Sequence, residues 1–189
     1  MVFVVVAALA VAVGLLLGGK LGALANLDLR LIWLFYAAIG LQVVAFPSGL
    51  LPWTVGDVTA RALWGVSYAS LAAAAAANYR IRGALVVALG MFCNIEAIVA
   101  NRGFMPADPE ALRASGIHEQ VHNNSIAVAQ PKLSWLIDRW VAPDWVPLAN
   151  VYSVGDVIIA AGAFVLVLSA MKVRLPRRSR PVRLAWPSP

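Results

Sequence analysis

The residues most able to do chemistry in this 189-residue chain form the motif His118-Glu119-Gln120-Val121-His122. On a helix, two histidines four residues apart share a face and can bind Zn²⁺, with the intervening glutamate as general base. The chain has only two histidines, so an acid such as Glu110 or Asp138 would have to complete the site. Gly116, a poor helix former, lies just before the motif. A solvated loop is the favoured interpretation, and a zinc site at His118, Glu119 and His122 is the alternative.

A second set of chemically active side chains opens the last apolar segment, with the sequence Ser153-Val154-Gly155-Asp156. This spacing predicts a capping box, in which Ser153 and Asp156 each bind the backbone N–H of the other at a helix start. Asp156 lies deep in an apolar run, so a functional carboxylate is the alternative prediction.

Polar residues also interrupt the apolar segment 84–100. Asn94 and Asn101 are seven residues apart and therefore share one helical face, whereas Glu96 points elsewhere, where Arg61 or Arg102 is its expected partner. Ionisable groups are expensive in an apolar environment and usually serve a function there. Two alternatives stay open: a functional polar site, or hydrogen bonding between helices with Glu96 near the boundary.

The overall composition determines how these side chains are expected to be positioned. The chain is 61% hydrophobic and 13% charged, with a mean hydropathy of +0.80, which lies outside the range of soluble domains. A bilayer span takes about 20 mostly apolar residues, or about 17 at the short limit. Residues 1–173 are therefore predicted to form an all-α integral membrane protein, a bundle of about five transmembrane helices at Val2–Leu17, Leu31–Phe46, Ala60–Ala77, Ala84–Ala100 and Val154–Met171.

The placement of charge predicts the orientation of that bundle. Lysine and arginine are retained on the cytoplasmic side, and with the N-terminus outside and the C-terminus inside most basic residues lie there. Residues 174–189 are then a basic cytoplasmic tail that binds anionic lipid. The net charge of +6 comes largely from basic residues crowded behind the last apolar segment. This placement fits contact with lipid, so nucleic acid is not an expected partner. The expected partners are the lipid bilayer and a membrane protein.

The long segment 101–152 is predicted to lie on the outer surface with short helices. Asp108-Pro109-Glu110 is typical of a helix start, with an aspartate cap and proline in the first turn. A second, interfacial helix is predicted from an apolar stripe that ends before Pro143. The stripe consists of Leu133, Leu136, Ile137, Trp140 and Val141.

Several of these motifs resemble those of an uncharacterised family of small bacterial multi-pass membrane proteins, domain of unknown function 5317. The matching residues are Asn101, Gly103, Met105, Pro106, Leu136, Asp138, Ser153, Gly155 and Asp156, with Gly18 to Leu21 and Arg30 as further matches. The family usually has glycine where this chain has Arg102, and its histidine falls nearer Asn124. The resemblance implies a multi-pass protein of the bacterial cytoplasmic membrane and brings no activity.

The resemblance also implies that polar residues lie together on the outer face of the bundle. The candidate site consists of Asn94, Glu96, Asn101, Gly103, Met105, Pro106, Asp138, Ser153, Gly155 and Asp156. Three functions fit: an accessory or scaffold component of a membrane complex, an enzyme acting on a lipid or prenyl-type substrate through Asp138 and Asp156 with or without a divalent cation, or a small solute or ion transporter that depends on Glu96. The sequence identifies no cofactor.

Overall fold

The computed structural model of the chain describes residues 2–45, 55–115, 125–143 and 151–173. Within these ranges the chain forms seven helices and four short strands, and all of the strands follow the fifth helix, so the prediction of an all-α fold was incomplete. In chain order the elements are α1 (Val2–Leu16), α2 (Gly22–Ala25), α3 (Ile32–Ala45), α4 (Asp57–Ala77), α5 (Ala84–Ala100), β1 (Met105–Ala107), α6 (Pro109–Ala114), β2 (Ser125–Ala127), β3 (Trp140–Val141), β4 (Val151–Tyr152) and α7 (Val154–Ala170).

The five apolar helices lie where the sequence predicts them, but their interpretation as membrane spans is wrong. Among the helices of the described ranges, none combines the length and the apolar character that crossing a membrane requires. The helices α1, α3, α5 and α7 have 14 to 17 residues, which is about 21–26 Å of helix against about 30 Å of bilayer core. The longer α4 has 21 residues but carries Asp57 and Arg61, and nine of its residues are alanine. The predicted transmembrane bundle and its orientation are therefore corrected.

The main contacts between helices follow the order α1, α7, α5, α4, α3. The closest approach is between the antiparallel helices α5 and α7, where glycines face each other. A Cβ atom on Gly90 would lie 2.6 Å from the carbonyl oxygen of Gly155, and one on Gly162 would lie 2.6 Å from the amide nitrogen of Val87. This near contact of backbones brings the side chains of α5 against the start of α7.

Two small sheets connect the loop segments to the helices. Strand β1 pairs in parallel with β2, and Ala107 of β1 also forms a bridge with Asp138. Strand β3 pairs antiparallel with β4, which leads directly into α7. A core cluster of Trp64, Ala97, Ile98, Met105 and Leu136 lies beneath this arrangement. The loop segments are therefore anchored over the ends of α4, α5 and α7.

The first predicted loop helix is confirmed. Asp108 caps α6, and its side chain accepts hydrogen bonds from the amides of Glu110 and Ala111. The helix ends at Ala114, with Ser115 as its C-cap residue.

The interfacial helix predicted over residues 133–141 does not form. Leu133 has a φ of +53°, and Trp140 and Val141 belong to β3. The amide of Asp138 donates to the carbonyl of Pro106 at 2.9 Å, and the amide of Arg139 donates to that of Tyr152 at 3.1 Å. These bonds to distant strands replace the local bonds of a helix, so tertiary pairing overrides the apolar periodicity.

Candidate functional site

A cluster of polar side chains lies where α4, α5 and the start of α7 meet the segment 133–139. We call it the polar cluster. Its members are Tyr68, Asn94, Ser125, Asp138, Ser153 and Asp156.

The start of α7 contributes the predicted capping box, which is confirmed. The amide of Ser153 donates to Oδ2 of Asp156 at 2.9 Å, and the amide of Asp156 donates to Oγ of Ser153 at 3.3 Å. This arrangement satisfies backbone N–H groups that the first turn of a helix leaves without partners. The acid of the box also lies at the positive end of the helix dipole.

Asn94 extends this capping box from the neighbouring helix. It is 2% exposed, and its Nδ2 donates to Oδ1 of Asp156 at 3.0 Å. The Ser153 hydroxyl lies 3.0 Å from both Oδ1 of Asn94 and Oδ2 of Asp156, and its single proton is donated to one of them at a time. Gly155 makes room for this contact, because a Cβ atom there would collide with Oδ1 of Asn94.

Asp138 is the second acid of the cluster and is only 4% exposed. Burial raises the pKa of its carboxyl to about 7; the hydrogen bond from Ser125 opposes this increase, and the charge of Asp156 adds to it. The Ser125 hydroxyl donates to Oδ2 of Asp138 at 2.6 Å. The backbone of Asp138 accepts from Asp108 and donates to Pro106. The cluster thus contains a carboxyl that exchanges its proton near neutral pH.

Tyr68 of α4 is one of two members, with Ser125, that the sequence did not predict. Its ring packs edge-to-face on Trp64, with ring centroids 5.2 Å apart. Burial raises the pKa of the Tyr68 hydroxyl, the charges of Asp156 and Asp138 raise it further, and the Asn94 side chain acts in the opposite direction. The hydroxyl therefore stays protonated and can donate a hydrogen bond. The available signal was the i, i+4 spacing of Trp64 and Tyr68 on a helix rich in small residues.

Other predicted site residues hold the loop in place. The side chain of Asn101 accepts from the amide of Lys132 and donates to its carbonyl, both at 2.9 Å. Gly103 has a φ of +88°, and its amide donates to the carbonyl of Ile98, a bond that closes the C-terminal end of α5 together with the left-handed Arg102. Met105 and Pro106 are buried in β1.

Glu96 lies apart from the polar cluster, on an exposed part of α5. Arg61, one of its expected partners, stacks over the ring of Phe104 at 4.4 Å and donates to the carbonyls of Asp57 and Arg102. The structure therefore assembles Asn94, Asp138, Ser153 and Asp156 and leaves Glu96 outside.

The alternative zinc site at His118, Glu119 and His122 lies outside the described residues. Within the parts of the chain that the structure describes, no group of three or more histidine, cysteine, aspartate or glutamate side chains is placed to hold a metal ion. Ser125, the hydrogen-bond donor to Asp138, carried no signal in the sequence, because it lies in a segment without apolar periodicity.

The sequence profile of the Family of unknown function (DUF5317) matches residues 26–168. The chain therefore belongs to this family, as the motifs from Asn101 to Asp156 indicated. The match begins after the Gly18 to Leu21 stretch and ends before the basic tail. No curated protein and no solved structure matches the chain significantly.

Proposed function

We propose that the protein is a non-enzymatic accessory or scaffold component of a larger complex at the bacterial cytoplasmic membrane. The observation that carries this proposal is the apolar outer surface of the helices. Leu16 of α1 is 86% exposed, Val58 of α4 is 75% exposed and Val99 of α5 is 71% exposed. Extended exposed apolar surface marks sites of interaction with a protein or a lipid.

The edge helix α3 contributes strongly to this surface. Trp33 and Tyr36 are exposed there, together with Phe35, Ile39, Val43 and Val44. Large aromatic side chains at a surface supply much of the binding energy in protein interfaces. These faces are proposed to contact a partner subunit and lipid, and no membrane-spanning helix is assigned.

The internal hydrogen bonding of the polar cluster supports a structural role for it. Among the described residues, every buried side-chain nitrogen and oxygen has a hydrogen-bond partner. Asn94, Ser153 and Asp156 use their hydrogen-bonding groups on one another. A saturated buried network of this kind fixes the relative position of the elements that it joins. The cluster therefore positions α7 against α5 within the component.

Affinity purification of the tagged protein from its native membrane in mild detergent, followed by mass spectrometry, tests the proposal. We expect a partner protein in stoichiometric amount. A protein that purifies alone from intact membranes, at several detergent strengths, contradicts the accessory role.

The second candidate is an enzyme that acts on a lipid or prenyl-type substrate. It is favoured by Asp138, since a carboxyl with a pKa of about 7 is suited to general acid–base catalysis at neutral pH. This function predicts that deletion of the gene removes a lipid modification and that wild-type protein restores it. Asp138→Asn and Asp156→Asn would fail to restore it, whereas both variants restore function if the role is accessory. The third function, a small solute or ion transporter, remains a prediction. It requires a flux of solute that depends on Glu96.

A further inference from the structure

A cleft of about 640 Å³ opens at the end of the molecule where α1 and α7 terminate. It lies apart from the polar cluster. Lys20 and Lys172 line it, together with Gly18, Asn26 and two apolar residues, Leu17 and Ala23. No acidic side chain is among the described residues that line this cleft. The described lining of the cleft therefore carries positive charge.

A backbone hydrogen bond joins the two segments that carry these lysines. The amide of Lys20 donates to the carbonyl of Met171 at 3.0 Å, so the residue before Lys172 is joined directly to Lys20. Gly19 packs here as well, because a Cβ atom on it would lie 3.0 Å from Cβ of Met171. Lys172 itself has a φ of +57°, a backbone conformation that is unfavourable for any residue with a Cβ atom.

Two ammonium groups that line the same cleft repel each other, and the attraction of both to an anion bound between them offsets that repulsion. The lining supplies hydrogen-bond donors: two ammonium groups and the Asn26 amide, one of whose hydrogens is used on the carbonyl of Gly22. Phosphate offers several acceptor oxygens and strong negative charge, which suits such donors. The volume also exceeds that of a bare phosphate, so a group bonded to the phosphate can be accommodated.

We propose that Lys20 and Lys172 bind the phosphate group of an anionic ligand in this cleft. The phosphate belongs either to a soluble phosphate compound or to the headgroup of an anionic phospholipid. This inference is independent of the accessory role, since the cleft shares no residue with the exposed apolar positions Val58 and Val99.

Lysine acetylation, read by mass spectrometry on the full chain, tests the proposal directly. The chain contains one further lysine, the exposed Lys132, which serves as an internal control. We expect inorganic pyrophosphate, at constant ionic strength, to slow acetylation of Lys20 and Lys172 while Lys132 reacts at its original rate. Equal protection of all three lysines would show that pyrophosphate acts only as a general salt that screens charge, and this result overturns the proposal.

The variant Lys20→Gln tests whether Lys20 and Lys172 bind one anion together or bind anions independently. Loss of one charge-assisted hydrogen bond is expected to raise the pyrophosphate concentration that protects Lys172 about tenfold. Lys132→Gln is the matched control and leaves that concentration unchanged. Protection of Lys172 that does not depend on Lys20 contradicts the proposal.

Vesicles distinguish the two sources of the phosphate group. If phosphatidylglycerol vesicles protect Lys20 and Lys172 in a Lys20-dependent manner and pyrophosphate does not, the ligand is a lipid headgroup. If pyrophosphate protects both lysines, the cleft accepts a soluble phosphate. Arginines follow Lys172 in the sequence and also attract anionic vesicles, so dependence on Lys20 is the decisive observation. Equal protection by vesicles of phosphatidylcholine alone overturns the proposal.

Discussion

Asn94 of α5 donates a hydrogen bond to Asp156 of α7 across 3.0 Å. The carboxylate that receives this bond also completes the capping box of α7 through Ser153. One carboxylate therefore joins the start of a helix to the middle of its neighbour. Removing the Asn94 amide leaves a partly buried acceptor without one of its partners, which costs more than the hydrogen bond itself.

We expect Asn94→Leu to lower the free energy of unfolding by roughly 1–3 kcal/mol, because Asp156 and Ser153 then lack a buried partner. Urea unfolding followed by circular dichroism measures the change. The exposed Glu96→Gln on the same helix is the control and is expected to change stability by less than about 0.5 kcal/mol. Equal stability of the two variants would show that the Asn94–Asp156 bond contributes nothing.

Gly155→Ala tests the close approach of α5 and α7. The added Cβ atom collides with Asn94 and lies 2.9 Å from the carbonyl oxygen of Gly90, so we expect a loss of about 1–3 kcal/mol. Gly65→Ala is the matched control, because a Cβ atom there meets no atom within 4 Å. In the interior of α4 it is expected to stabilise the fold by roughly 0.5–1 kcal/mol. Thermal unfolding that ranks the two variants the other way round would contradict this packing.

The raised pKa of Asp138 leads us to expect that the stability of the fold depends on pH. The folded chain keeps the carboxyl proton up to a pKa of about 7, whereas the ordinary value is 3.8. Between these values the folded state binds more protons than the unfolded state, so the free energy of unfolding falls as pH rises. The loss attributable to this group is roughly 4 kcal/mol by pH 7, as an upper bound, and it is absent below about pH 4.

Asp138→Asn isolates that contribution, because the amide cannot ionise and can still accept a hydrogen bond from Ser125. Denaturant unfolding from pH 4 to pH 8 is expected to show a difference between wild type and variant that shifts in favour of the variant as pH increases. A difference that is constant across this range would mean that Asp138 titrates at its ordinary pKa.

Arg102 has a φ of +61°, in the left-handed region that glycine adopts without strain. Arg102→Gly is therefore expected to increase the free energy of unfolding by about 1 kcal/mol. Arg113→Gly is the control: it lies in α6, where glycine is expected to destabilise by roughly 0.5–1 kcal/mol. A melting temperature that falls for both variants would contradict the strain at Arg102.

Local signals in the sequence predicted the local structure well. Apolar runs located the five main helices, Asp108 marked the start of α6, and Ser153 with Asp156 predicted the capping box. These features depend on residues within a few positions of each other. The same apolar runs were misleading about membrane spans, because four of these helices have only 14 to 17 residues, at or below the short limit of about 17 for crossing a bilayer.

Features that depend on distant residues could not be predicted in the same way. Leu133, Leu136 and Ile137 have helical spacing, yet their segment is not a helix. Leu136 and Ile137 are buried there, and hydrogen bonds to Asn101 and to Pro106 of β1 fix the backbone on either side of them. Ser125 and Tyr68 enter the polar cluster from elements 13 and 70 residues away from Asp138 in sequence. Only tertiary contacts bring these residues together, and no local pattern encodes them.

The accessory role is tested most directly by comparing partner recovery for Val99→Glu and Asp138→Asn in the same affinity purification from native membranes. Val99 lies on the exposed apolar surface and Asp138 lies in the buried polar cluster. The proposed role predicts that Val99→Glu loses the copurifying partner while Asp138→Asn, folded to the same extent, retains it in stoichiometric amount. Retention of the partner by Val99→Glu and its loss with Asp138→Asn would contradict the account and place the essential chemistry in the polar cluster.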